Sequence, residues 1–242
     1  MLLLVAACAT APETGRSQLI LFSEAEDQEL GLTAFRQVLS EARLVRDPRV
    51  VARVRRIGWR IARVTPRTDW DWEFVVIDDD EPNAWALPGG KVGVHRGIFK
   101  VARTDGQLAA VIAHEVAHAV ARHGVEKVSR ELLLGLGLAA LGAATGDEDL
   151  TAGAAVAGLL LVSLPFSREQ EREADHIGLL YMARAGFDPR EAIRLWENFR
   201  RLEGDDLPAF LSTHPPKEER LLRLRALMPR ALEEYRRARI GS

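Results

Sequence analysis

The sequence predicts an α+β fold, mostly helical, with a small sheet of about three strands set beside one buried helix. Three observations predict it. Val50, Val54, Ile57 and Ile61 recur at helical spacing. Two runs, Trp70 to Ile77 and Lys91 to His95, alternate as strands and lie on either side of a Pro88-Gly89-Gly90 turn. A helical pattern then returns from Gln107, so helices precede and follow the sheet.

Taken in order, the chain opens MLLLVAACAT, an apolar run ending in small residues before Cys8. Val5-Ala6-Ala7-Cys8 looks like the lipobox of a bacterial lipoprotein signal, although no positive n-region precedes it. That likeness implies a lipid on Cys8 and tethering to a membrane outside the cytoplasm. Ala9, rather than Asp, after the cysteine resembles the outer-membrane sorting pattern, which places the protein in the periplasm. Residues 9 to 18 are small and polar and read as a tether, so residues 1–18 form signal and tether. Residues 19–242 read as a single domain. Cys8 is the one cysteine, so no intramolecular disulfide is possible.

Ser23 and Glu26 are spaced as a capping box at a helix start. A second helix is expected from Pro48 to about Val64. After the first strand, Asp78 to Pro82 reads as a turn and Asn83 to Pro88 as a short extended segment. Helix follows from Gln107 to about His123. Residues 132–164 differ from the rest: two apolar Gly/Ala-rich runs surround Asp147-Glu148-Asp149. Each is shorter than the ~20 residues that span a bilayer, so a helical hairpin or lid is expected there.

Hydrophobic residues at 47% and charged residues at 28% are ordinary for a globular domain. A net charge of −2 gives no reason to expect nucleic acid as a partner. The chemistry lies in VIAHEVAHAVARHG, residues 111 to 124. On a helix His114 and His118 stand one turn apart on one face, where two imidazoles can converge on a zinc ion. Glu115 projects about 100 degrees around the helix and can take a proton from a zinc-bound water. Uncharged neighbours such as Val111, Ile112, Val116 and Val120 suit a buried active-site helix.

Catalytic zinc usually takes three protein ligands. The remaining candidates are His95, His123, His176, His214 and the carboxylates. In the segment 167 to 187, Glu171 and Asp175 share a helix face at i and i+4, and Gly178 on that face lets another helix come close. Glu171 is read as the third ligand, with Asp175 accepting a hydrogen bond from a ligand imidazole. Glu173 faces elsewhere, and His95, His123 and His176 are assigned a strand end, a helix end and a charged helix surface.

HEVAH followed by EREAD at 171 to 175, the Asn83-to-Gly90 stretch and Ser212-Thr213-His214-Pro215 together resemble metallopeptidase family forty-eight, particularly its soluble BepA-like and Oma-type branch. The likeness covers roughly residues 20 to 230. It implies a zincin-like metallopeptidase domain with one zinc ion per chain. It implies endopeptidase action on unfolded or misassembled proteins, with quality control at the bacterial envelope as the setting. It implies that Asn83, Ala84, Trp85, Ala86 and Leu87 form a substrate-lining edge strand, which would read backbone more than side chain. His214 matches a histidine placed near zinc, either capping the ion at rest or steadying the oxyanion as a catalytic partner of Glu115. A zinc-bound chaperone or assembly factor with low proteolytic activity is the rival reading. A structural zinc site would want four closed ligands, often Cys, and this chain offers no usable Cys.

Overall fold

The computed structural model describes residues 7–145, 166–201, 209–214 and 218–240, with side chains described over 9–134, 166–201, 210–214 and 219–240. The chain begins with a hairpin, β1 (Ala7–Thr10) and β2 (Ser17–Ile20), paired antiparallel with Cys8 opposite Leu19. The expected tether at 9 to 18 is therefore largely paired strand and turn, and Ala11 and Gln18 are buried. Short polar composition suited a linker, but long-range partners hold the segment down.

Helix α1 (Glu24–Glu41) starts at Ser23, whose side chain accepts from the Glu26 N–H while Glu26 reaches back to the cap. Helix α2 (Pro48–Ala62) starts behind Asp47, with proline in the first turn where its missing N–H costs nothing. Val54, Ile57 and Ile61 are buried along one face of α2. Strands β3 (Glu73–Ile77), β4 (Ala84–Leu87) and β5 (Lys91–His95) form a sheet in the order β3-β5-β4. β5 runs parallel to β3 and antiparallel to β4. Gly89 and Gly90 make the turn between β4 and β5 at φ +77° and +82°, where a side chain would be strained. β3 begins later than the sequence pattern suggests, because Trp70 and Trp72 pack in the core ahead of it.

The sheet is covered on both faces. Phe74, Val76, Val92 and Val94 join the main core with α2 and the following helix, while Val75 and Leu87 meet Ala34 and Phe35 of α1. A short 3₁₀ turn (Arg96–Lys100) leads to α3 (Asp105–Val120), capped by Thr104. α3 is the buried centre: every residue from Gln107 to Val120 is buried. Each fully buried Val, Leu or Ile there contributes about 1.5–3 kcal/mol.

The expected helix to His123 breaks at Arg122, which sits at φ +56°. Helix α4 (His123–Thr145) then departs in a new direction. Arg122 is held in this left-handed conformation by bonds from Nε to Asp27 Oδ2 at 2.6 Å and from its terminal nitrogen to the Phe22 carbonyl at 2.8 Å. Among the described residues four more helices follow: α5 (Arg168–Arg184), α6 (Arg190–Arg200), α7 (Ala209–Thr213) and α8 (Glu218–Ile240). α5 packs directly on α3 and is itself backed by α8. Of the expected 132–164 hairpin, the stretch to Thr145 is the end of α4 and the remainder lies outside the described residues. Among the described residues no helix is long and apolar enough to cross a membrane. The architecture is α+β and mostly helical, with one more two-stranded sheet than the sequence reading expects.

Candidate metal centre

α3 and α5 bring the two motifs face to face. Gly178 lies where α5 meets α3, and a Cβ there would stand 3.0 Å from the Ala113 carbonyl oxygen and from His114 N and Cα. That close approach sets Glu171 against the imidazoles. His114 Nε2 and His118 Nε2 lie 3.1 Å apart, and Glu171 Oε1 lies 3.2 Å from His118 Nε2. His214, at the end of α7, places Nδ1 3.2 Å from His114 Nε2 and 2.7 Å from Glu171 Oε1. One donor atom from each of these four buried residues lies within 4.8 Å of the others.

Donors on a tetrahedral zinc with ~2.0–2.1 Å bonds stand about 3.3 Å apart. Three of the distances above are 3.1 to 3.2 Å. Imidazole lone pairs aimed at one another at that spacing repel unless a cation or proton lies among them. Three imidazoles and a carboxylate are a zinc donor set. Beside them, Glu115 Oε1 is buried with no hydrogen-bond partner, 3.5 Å from His214 Nε2. The residues present fit a zinc ion with a free carboxylate next to it.

The electrostatics follow from burial and neighbours. Burial pushes the Glu115 carboxyl up to about 8, a trend that nearby His114 opposes. Burial also works to raise Glu171, but the His214 and His118 imidazoles beside it hold it well below the usual carboxylate range. Burial drives His118 well below its ordinary value although Glu171 pulls the other way, which favours the neutral ring a metal needs.

The ligand rings are backed by further groups. His114 Nδ1 lies 3.2 Å from Asp175 Oδ1. Asp175 in turn accepts from Arg220 Nε at 2.9 and 2.7 Å to its two oxygens. Arg220 also donates to Glu171 Oε2 and lies over the Trp196 ring at 3.8 Å. Burial raises the Asp175 carboxyl, but Arg220 and His114 outweigh it and leave it lowered. Arg220 is missed by sequence reasoning; it is one of many charged residues in EERLLRLR, and nothing local marks it as buried. His123 is also more than a helix end. It is fully buried, and its Nδ1 lies 2.9 Å from His118 Nδ1. On an unbroken helix five residues would place it about 140 degrees away from His118, so spacing alone hid the contact. Glu173 faces away from the four-donor cluster, toward His123. His95 Nδ1 lies 3.5 Å from Asp79 Oδ2, and His176 lies beside Arg230.

A cleft of about 570 Å³ opens on the cluster, with Glu115, His118 and His214 in its lining. Asn83, Ala84, Trp85, Ala86 and Leu87 line it as well. β4 pairs only with β5, so its other edge is unpaired among the described residues.

The fold and the four-donor cluster define a metal-centred domain of the gluzincin kind, built on His-Glu-x-x-His and a glutamate from a second helix. Residues 48–228 match peptidase family M48, and the chain belongs to that family. With this donor set, its cofactor is zinc. It is 43% identical over 182 residues to the mitochondrial metalloendopeptidase OMA1 of Schizosaccharomyces pombe, covering 74% of this chain and 53% of the relative. To the namesake in Arabidopsis thaliana it is 40% identical over 172 residues, 70% of this chain and 35% of the relative. To the beta-barrel assembly-enhancing protease of Escherichia coli it is 30% identical over 222 residues, 88% of this chain and 46% of the relative. The chain thus spans about half the length, or less, of these relatives.

Proposed function

We propose that the chain is a zinc-dependent endopeptidase, a single catalytic domain that takes in the β1–β2 hairpin together with residues 19–242, in which His114, His118 and Glu171 would hold the ion. The observation that carries this is the convergence of those three donors beside the unpartnered Glu115 oxygen. Zinc, when bound, acidifies a water and polarises the scissile carbonyl. Glu115 accepts the proton of the attacking water at its free oxygen and passes it to the leaving amine. Asp175 holds the His114 tautomer, and Arg220 holds Asp175. An extended substrate lies along the unpaired edge of β4, where backbone groups of Ala84 to Leu87 pair with its own. Such pairing reads conformation, so the substrates are unfolded or misassembled proteins. The likeness to a beta-barrel assembly-enhancing protease supports action beside β-barrel assembly, in the setting of the bacterial envelope. The Cys8 pattern supports a lipid anchor at the outer membrane, facing the periplasm.

One observation favours a resting state as a second reading. His214 Nδ1 lies 3.2 Å from His114 Nε2 and 2.7 Å from Glu171 Oε1, where it would serve as a fourth donor to a bound ion. A chain that stays shut in this way would act as a zinc-bound assembly factor with little proteolysis. A casein-cleavage assay with zinc content measured on the same samples tests both. Glu115→Gln is expected to keep the metal and lose about 10²–10⁴-fold in rate, as expected for loss of a general base; full cleavage by that variant would reject the mechanism. A rise in activity in His214→Ala would favour the capped resting state.

A further inference from the structure

Of the two imidazoles on α3, one has its backing explained: His114 rests on Asp175. The back of His118 rests on His123 instead, and the contacts continue outward. His123 Nε2 lies 3.0 Å from Glu173 Oε2. Glu173 accepts from Arg16 Nε at 2.6 Å and from the Thr14 hydroxyl. Arg16 extends its two terminal nitrogens to Glu126 Oε1 and Oε2 at 3.0 and 2.8 Å. His123, Glu126 and Glu173 are all buried. Thr14 and Arg16 belong to the turn of the β1–β2 hairpin, before the stretch that matches the family.

We propose that His123 and Arg16 are positioning residues for the second zinc ligand, and that the N-terminal hairpin is thereby part of the metal centre. The inference rests on His118 being a ligand. Proton placement then follows from valence. A ring that offers its Nε2 lone pair to a metal carries its proton on Nδ1. His118 therefore donates from Nδ1 to His123 Nδ1, which must be the acceptor. The proton of His123 then sits on Nε2, where it meets the Glu173 carboxylate. Arg16 holds that carboxylate from the other side. Each bond in the series has one allowed direction, and all of them agree. The arrangement parallels the first ligand: Arg220 holds Asp175 behind His114, and Arg16 holds Glu173 behind His123 and His118. Fixing a ligand ring in this way orients it and raises its basicity.

Zinc affinity, measured by competition with a chromophoric chelator, tests the relay. His123→Phe keeps the ring but removes the acceptor, and about 10- to 100-fold weaker binding is expected. His123→Asn, whose Oδ1 falls near the Nδ1 position, is expected to recover most of that loss. Arg16→Gln should weaken binding without touching either ring. Ring nitrogen NMR of the zinc-loaded wild-type protein gives an answer that needs no variant: protons on His118 Nδ1 and His123 Nε2. Unchanged affinity in both His123→Phe and Arg16→Gln, or a wild-type spectrum with the proton on His123 Nδ1, overturns the relay alone. An Asn variant as weak as the Phe variant assigns His123 to packing and overturns it too. Wild-type protein that binds no zinc sinks the metal-centre reading, and the relay with it.

Discussion

Arg220 carries two carboxylates at once, and its surroundings decide what its loss would do. It is 2% exposed, stacked on Trp196, and bonded to Asp175 and Glu171. A buried charge stays charged when its partners are close, and burial, which lowers the guanidinium, is outweighed by Asp175 and Glu171. Removing one side of such a group leaves uncompensated charge in a dry interior. Arg220→Ala is expected to lower stability by about 3–5 kcal/mol, read from urea unfolding of the chelator-treated protein. A variant as stable as the wild type would mean that Asp175 and Glu171 find other partners. Arg220→Lys should not restore the loss, because one ammonium cannot reproduce both the Nε contact with Asp175 and the separate terminal-nitrogen contact with Glu171.

Two elements decide the site, and their spacing matters more than either alone. α3 supplies the imidazoles and α5 the carboxylates, and Gly178 sets how closely they approach. A Cβ at 3.0 Å from backbone atoms of Ala113 and His114 has no flexible neighbour to displace. A β-branched side chain there would force the helices apart and move Glu171 away from His118. Gly178→Val is expected to cost about 1–3 kcal/mol as overpacking, with weaker zinc binding in the same samples. Calorimetry showing full zinc affinity would mean that α3 and α5 tolerate separation. The break between α3 and α4 belongs to the same scale. The left-handed Arg122, pinned by Asp27 and Phe22, turns the chain so that His123 lies behind His118.

Across the whole molecule, the hairpin, α4 and α5 are held together through one buried carboxylate. Glu126 accepts from Arg16, from Arg130 at 2.6 Å and from Gln170 at 2.9 Å. Burial works to raise its carboxyl, but Arg16 and Gln170 lower it below the ordinary value of 4.5, with Arg130 adding to the same effect. His123 and Glu173 lie in the same network, joined through Arg16 and Glu173. A depressed carboxyl stabilises the fold when the pH is above its unfolded value. That contribution fades as pH falls through 4.5 and the lower folded value. Urea midpoints of wild type and Glu126→Gln should therefore differ most near neutrality and converge as the pH falls below 4.5. A gap that stays constant with pH would show that Glu126 acts through shape rather than charge.

The α+β class, the capping box at Ser23, the strand at 91–95, the strand read as 70–77 and found at 73–77, and the three proposed ligands were legible in the sequence. So were Asp175 behind His114 and Gly178 at the helix contact. Each is a matter of local spacing: i and i+4 on a helix, alternation on a strand, a cap three residues from its partner. These patterns need no knowledge of what lies across the fold. The hairpin at 7–20, buried Arg220 and the pairing of His123 with His118 and Glu173 were decided by tertiary structure alone. Arg16 and Glu173 stand 157 residues apart, and Glu171 and Arg220 stand 49 apart. Whether a polar side chain is solvated or buried against a distant partner depends on which helices pack together, and no local pattern in this chain records that.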